Sequence, residues 1–315
     1  MQTISILGGK GRLGNTAARA FHHAGYKVIV ISRDANAPRL PEGVEQRAAD
    51  AMQAAELIKA TEGSDFIFNS LNPPYSQWRG KAMQLARNVV VAARQHGAVH
   101  LFPGNVYNYG TRIPPVCDEH TPFQADTSMG KIRVEMEQHF EEASRQGIKT
   151  IVLRAGDFFG DGSSGAWFDF AILSKLHKNR LVYPGAWDAV HSWAYLPDLA
   201  QAFVSLAGQA DKLDGYESFL FEGHHLTGNT LYAALTEIVG RPLKKQTVPW
   251  WLYRVASLFS PMARAVTEMS YLWFRPHQLD GRRLNAVVGE LHTTPLQEAL
   301  KQSLVATSAF HDHAR

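Results

Sequence analysis

The most constraining stretch of this 315-residue chain is its start, TISILGGKGRLG, where an apolar run breaks into a loop with Gly8, Gly11 and Gly14 before a segment of helical period. A short β-rich run followed at once by glycines and a helix is a strand–turn–helix unit. Without side chains the backbone can turn tightly and come close to an anion, and the helix N-terminus offers N–H groups to it. Glycines at G-x-x-G-x-x-G spacing in that context predict a dinucleotide pyrophosphate site formed by Gly8, Lys10, Gly11, Arg12, Leu13 and Gly14.

The rest of the chain fits that start. Thr3–Leu7, Lys27–Ile31, Asp65–Phe68, Val99–Phe102 and Thr150–Leu153 read as buried strands, alternating with helical patterns such as Leu13–Ala24, Lys81–Gln95 and Lys131–Ser144. That rhythm predicts an α/β fold, a doubly wound parallel sheet with helices on both faces. Beyond about Asp161 the pattern loosens into glycine- and aromatic-rich stretches, and a mostly helical tail runs from about Thr227 to Leu304. No linker divides the two, so the expectation is a nucleotide-binding domain over residues 1–165, rejoined by 190–225, with a smaller lobe from 166–189 and 226–305.

The strand KVIVISRD ends where the adenosine ribose of a bound dinucleotide would lie. An acidic side chain there would favour NAD, but Ser32 occupies the point and Arg33 follows. Arg33 and Lys10 together suit a 2′-phosphate, which favours NADP with NAD as the alternative. If Asp34 rather than Ser32 faces the ribose, the preference reverses.

Several function classes are excluded. The net charge of +3 is spread along the chain and leaves no nucleic-acid footprint. A single cysteine, Cys117, rules out an internal disulfide and fits a reducing compartment, so the cytoplasm is expected. The N-terminus enters a strand at once and has no signal-peptide pattern. No stretch reaches the roughly 18 apolar residues of a membrane span, and no membrane partner is expected. The nearest approach, Val248 to Val266, is broken by Arg254, Pro261 and Arg264; it reads as an amphipathic helix covering core, with an interfacial membrane or partner helix as the alternative. A monomer or homodimer is expected. His224 and His225 lack further ligands at metal spacing, so no metal is assigned.

In order and spacing the chain resembles the extended, epimerase/dehydratase-like branch of the short-chain dehydrogenase/reductase superfamily, which has a Rossmann-like fold. The resemblance rests on GGKGRLG, DFIFNSLN (Asp65–Asn72), the helix carrying Asn88, GNVYNYG (Gly104–Gly110), LRAGDFFG (Leu153–Gly160), HSWAYLPDLAQAF with Asp198, and HTTPLQEAL. It implies a nicotinamide cofactor, with Asp50, Leu71 and Asn72 completing its contacts, and a small organic substrate.

The resemblance also exposes a gap. Relatives use a Tyr-x-x-x-Lys pair and a Ser or Thr for proton transfer, the lysine lowering the phenol's pKa and holding the nicotinamide ribose. TSMGK aligns with that pair, putting Lys131 at the lysine but Thr127 at the tyrosine, while Asn105 stands at the Ser or Thr. An aliphatic hydroxyl cannot replace the phenol. Three alternatives follow: a relocated donor, with Tyr107, Tyr109 or Asp157 as candidates; hydride transfer with Asn105 stabilising charge; or an NADP-binding regulator without turnover. Trp78, Tyr107, Asp157, Trp167, Phe168, Trp187 and His191 are the candidate lining of the substrate side, the aromatics being equally suited to lobe core and His191 to a structural role.

Overall fold

A computed structural model describes residues 1–161 and 165–313. Its central sheet has seven parallel strands: β1 (Thr3–Leu7), β2 (Lys27–Ser32), β3 (Glu45–Ala48), β4 (Phe66–Asn69), β5 (Val99–Gly104), β6 (Thr150–Arg154) and β7 (Tyr216–Leu220). Their order is β7-β6-β5-β4-β1-β2-β3. The chain therefore starts in the middle, winds out to one edge, and returns past β1 to build the other half. This is the doubly wound α/β architecture expected from the sequence, and the order reverses between β1 and β4, where such sheets open a crevice.

Each apolar run expected as a strand lies in the sheet. The sequence reading missed both edge strands, β3 (EQRA) and β7 (YESFL), because each has polar residues and is paired on one side only. Helices α1 (Arg12–His23), α2 (Ala54–Ala60), α3 (Trp78–His96), α4 (Ser128–Ser144) and α5 (Leu196–Ala207) cover the sheet. α1 and α5 pack on one face, where Phe21, Phe68 and Phe203 meet. α3 and α4 pack on the other, around Phe102 and Phe140.

The remaining core gathers Phe159, Phe168, Tyr183, Trp193, Trp250 and Trp273. A three-stranded sheet of Asp157–Phe159, Val190–Tyr195 and His224–Thr227 and a strand pair of Arg180–Tyr183 with Lys244–Thr247 frame it. Helices α6 (Gly228–Val239), α7 (Trp250–Ala256), α8 (Pro261–Glu268), α9 (Arg282–Val288) and α10 (Leu296–His313) follow. Two motifs far apart in sequence meet here: the Asp198 carboxylate accepts from Thr294 N at 2.8 Å and from Thr294 Oγ1 at 2.7 Å, tying α5 to the approach of α10.

Candidate functional site

All seven strands are parallel, so the loops after β1, β4, β5 and β6 open on one edge of the sheet. The glycine loop forms the first wall. Gly8 has φ +77°, and a Cβ there would lie 3.1 Å from the Ser70 carbonyl oxygen. A Cβ on Gly14 would lie 2.6 Å from both Gly8 O and Ser70 Oγ, so the loop, α1 and the end of β4 touch only because both residues lack side chains. Gly11 caps α1 without any side-chain hydrogen bond, leaving the first-turn N–H groups of Arg12 and Leu13 available to an anion.

At the end of β2, Ser32 Oγ is buried without a hydrogen-bond partner. A glycine cradle, an uncapped helix start and an orphaned hydroxyl on one edge fit a dinucleotide. Arg33 is exposed beyond Ser32. Lys10 Nζ pairs with Asp34 Oδ2 at 2.5 Å, and that hydrogen bond holds the Asp34 carboxyl below the usual range. Asp50 accepts from Met52 N at 3.0 Å in the turn after β3. Leu71 and Asn72 follow β4 and line a small pocket with Trp78 and Arg133. The Arg12 side chain turns away from the cradle to Asp169 and to Gly160 O, so only its backbone faces an anion.

The loop after β5 supplies the second wall. Asn105 Oδ1 accepts from Tyr107 N at 3.0 Å and so orients that tyrosine, whose hydroxyl lies 2.8 Å from that of Tyr75. Burial raises the Tyr107 pKa well above its ordinary value, with Tyr75 and Asp157 adding to the effect and Arg133 opposing it. Tyr75 is raised for the same first reason. Both phenols are therefore neutral hydrogen-bond donors at neutral pH. Tyr109, the other tyrosine of this loop, is buried against the Arg154 guanidinium at 5.5 Å, apart from the Tyr75–Tyr107 pair.

Behind the loop lies a buried ion pair. Arg154 donates to Glu137 at 2.7 and 3.1 Å and to Asn105 O at 2.6 Å, while Asn108 and Tyr216 donate to the same carboxylate. Opposite stands a dyad: His191 Nε2 lies 2.7 Å from Asp157 Oδ2. The His191 ring stacks on Trp273 at 4.3 Å, and its Nδ1 has no partner. Trp78 is buried at the start of α3, donating to Pro73 O and lying 6.3 Å from the Tyr107 ring. Trp167 and Phe168 sit in the lobe core, Trp167 against Trp250 and Trp273 and Phe168 against Phe159 and Trp193. Trp187 packs on Tyr183, their rings tilted by 34°, with Lys245 Nζ 4.9 Å from the Trp187 ring.

The structure does not bring Thr127 and Lys131 to this cleft. Thr127 is the N-cap of α4, its Oγ1 accepting from Gly130 N at 3.1 Å. Lys131 is exposed in an open groove with Arg79, Asp126, Ser128 and Glu268. The physical reasons differ: Thr127 is buried but its hydroxyl is spent on the helix cap, while the buried face of α4 carries Met129, Arg133, Met136, Glu137 and Phe140, so Lys131, two positions beyond Met129, points to solvent. The i,i+4 pair on the inward face is Met129 and Arg133. Sequence reading missed Arg133, although the Met129, Met136 and Phe140 stripe gave its phase; it also missed Tyr75. The Arg133 guanidinium lies 4.8 Å from the Trp78 ring, forms no ion pair among the described residues, and burial lowers its pKa.

Sheet order and cradle together define a dinucleotide-binding α/β protein. More particularly, the chain belongs to the NAD dependent epimerase/dehydratase family, which it matches over residues 4–220. Its fold is similar to that of UDP-glucose-4-epimerase from Stenotrophomonas maltophila with bound NAD and formylated UDP-arabinopyranose, at TM-score 0.81 and 13% identity over 100% of both chains. UDP-glucose 4-epimerase from Thermotoga maritima with UDP-glucose gives 0.78 and 17% over 100% of both chains. A nucleoside-diphosphate-sugar epimerase from Pseudomonas aeruginosa gives 0.74 and 20% over 99% of this chain and 98% of that one. At these identities the likeness is one of fold. No curated protein matches the chain.

Proposed function

We propose that this chain is a nicotinamide-dinucleotide-dependent oxidoreductase of epimerase/dehydratase type, acting on a small organic substrate in the cytoplasm. The observation that carries the reading is the 2.8 Å Tyr75–Tyr107 hydroxyl pair at the carboxyl edge of the sheet, within electrostatic reach of Arg133 and Asp157. When bound, the cofactor supplies hydride transfer. Gly8, Gly11, Gly14 and the first turn of α1 hold its pyrophosphate, and Ser32 meets the adenosine ribose. Residues 1–165 with 190–225 serve the cofactor, and 166–189 with 226–305 close the substrate side.

Tyr107 donates its hydroxyl proton toward the reacting substrate oxygen, and Tyr75 stabilises the oxygen left behind by hydrogen bonding. Arg133 holds positive charge on the inward face of α4 and stabilises the negative charge that develops on either phenol as the proton leaves. Asp157 and His191 act as the second proton-handling pair, with His191 oriented by Trp273. The relatives' UDP-sugar ligands make nucleotide sugars one class to test, but sugar-nucleotide epimerisation relies on the phenol–lysine pair that α4 lacks, which favours simple carbonyl–alcohol interconversion.

Cofactor choice is a competition at one corner. Arg33 and Lys10 favour the 2′-phosphate of NADP, while Asp34, paired with Lys10, opposes it. Titration with NADP(H) and NAD(H) tests this, and tighter NAD binding overturns the preference. For catalysis, NADPH-loaded protein is exposed to a panel of aldehydes, ketones and nucleotide sugars, and absorbance at the reduced nicotinamide band is followed. Oxidation by at least one class that Tyr107→Phe suppresses is expected. Cofactor binding without oxidation by any class sinks the enzyme reading and leaves an NADP-binding regulator.

A further inference from the structure

The segment expected to be one amphipathic helix is a hairpin of α7 and α8 joined by Ser257–Ser260. Its base is anchored. Trp250 is buried, donates to Pro184 O at 2.5 Å and packs on Trp167, while Glu268, at the end of α8, accepts from Ser128 of α4. Ser260 caps α8, and Ala265 is buried. The tip is the reverse: Leu258 is 70% exposed and Phe259 84%. Trp251, Leu252, Val255 and Met262 flank it, also exposed. Half of the large apolar side chains exposed among the described residues lie between 251 and 262.

Charge identifies what this surface meets. From residue 241 to 267 the chain has five cations, Arg241, Lys244, Lys245, Arg254 and Arg264, and no Asp or Glu. A second copy of the chain docked two-fold on the hairpin tip would bring Arg254 and Arg264 of one chain against those of the other. A protein partner would need a pocket shaped to a protruding tip, whereas a lipid interface deforms around one. Exposed Trp251 and Tyr253 beside aliphatic side chains and cations have the composition of an interfacial segment.

We propose that the α7–α8 hairpin docks this protein on an anionic phospholipid surface, with Leu258 and Phe259 entering the acyl boundary and Arg254 and Arg264 engaging lipid phosphates. The chain has no helix among its described residues long and apolar enough to cross a membrane, so the attachment is peripheral. It is also salt-sensitive, because each cation near such a surface contributes to binding only within the screening length.

The test is sedimentation of the full chain with vesicles of phosphatidylcholine alone and of phosphatidylcholine with phosphatidylglycerol. Binding to the anionic vesicles only, weakened by salt and accompanied by a blue shift of tryptophan fluorescence, is expected. Leu258→Glu with Phe259→Glu lowers the partition coefficient by about tenfold or more, and Arg254→Glu lowers it less, both with dinucleotide binding unchanged. No binding to either vesicle, equal binding to both, or undiminished binding of the double variant overturns the proposal. Concentration-dependent dimerisation that the double variant abolishes, without vesicle binding, overturns it in favour of a second copy; capture by immobilised polyglutamate without vesicle binding overturns it in favour of an acidic protein.

Discussion

Lys131 and Arg133 are two residues apart on α4 and stand on opposite sides of it. The outward side carries an exposed ammonium among Asp126, Ser128 and Glu268 in a wide groove. The inward side carries a buried guanidinium over Trp78, one turn before the Glu137 that anchors Arg154. A lysine can match a motif's spacing while the helix turns it to solvent. What decides its role is the phase of the apolar residues around it.

The contrast is broken most severely from the inside. Glu137→Ala leaves Arg154 charged, buried and without its carboxylate, and releases Asn108 and Tyr216 as well; the expected loss is about 3–5 kcal/mol, read by chemical denaturation. Acid acts more gently, through two buried histidines. His100 packs on Phe140 at 4.7 Å, and burial lowers its pKa to about 3; His277, buried against the His191 ring, is also lowered to about 3. Both are neutral in the fold, so their contribution is complete above pH 6.5. It is lost as pH falls from 6.5 toward 3, because the unfolded chain takes up protons first. Tm measured from pH 7.5 down to 4 should therefore fall, and His100→Gln should flatten the slope.

At the mouth of the cleft, Tyr107→Phe removes a neutral donor and should lower turnover by about 100-fold while leaving the stability of the fold nearly unchanged. Because burial raises this phenol's pKa, wild-type activity should show no phenol titration near neutrality. The smallest effect belongs to the outward side: Lys131→Ala should change stability by less than about 0.5 kcal/mol and leave dinucleotide affinity unaltered. A large loss of affinity in that variant would erase the distinction between the two faces.

The same distinction explains what the sequence disclosed. Buried parallel strands are apolar throughout, so β1, β2, β4, β5 and β6 could be read directly, and the glycine loop announced its role because close backbone approach admits no other residue at Gly14. The edge strands β3 and β7, with polar residues among the apolar ones, had no such signature. Thr127 was legible as a helix cap, yet its register with Lys131 came from a motif rather than from periodicity, which pointed to Met129 and Arg133. Tyr75, Trp273 and Glu137 could not be found, because their partners Tyr107, His191 and Arg154 are brought together only by the tertiary fold. The dyad residues Asp157 and His191 were each singled out, but not as a pair, being 34 positions apart.

The clasp between Asp198 and Thr294 spans 96 positions of the chain. On a ribosome adding roughly 5–20 residues per second, the carboxylate emerges about 5–20 s before its partner. The sheet can assemble in that interval, since β7 ends at Leu220, but a carboxylate destined for the interior must stay hydrated until Thr294 appears. Vectorial synthesis thus puts the docking of Thr294 onto α5 after the last sheet strand has emerged, and until then α5 carries an open latch.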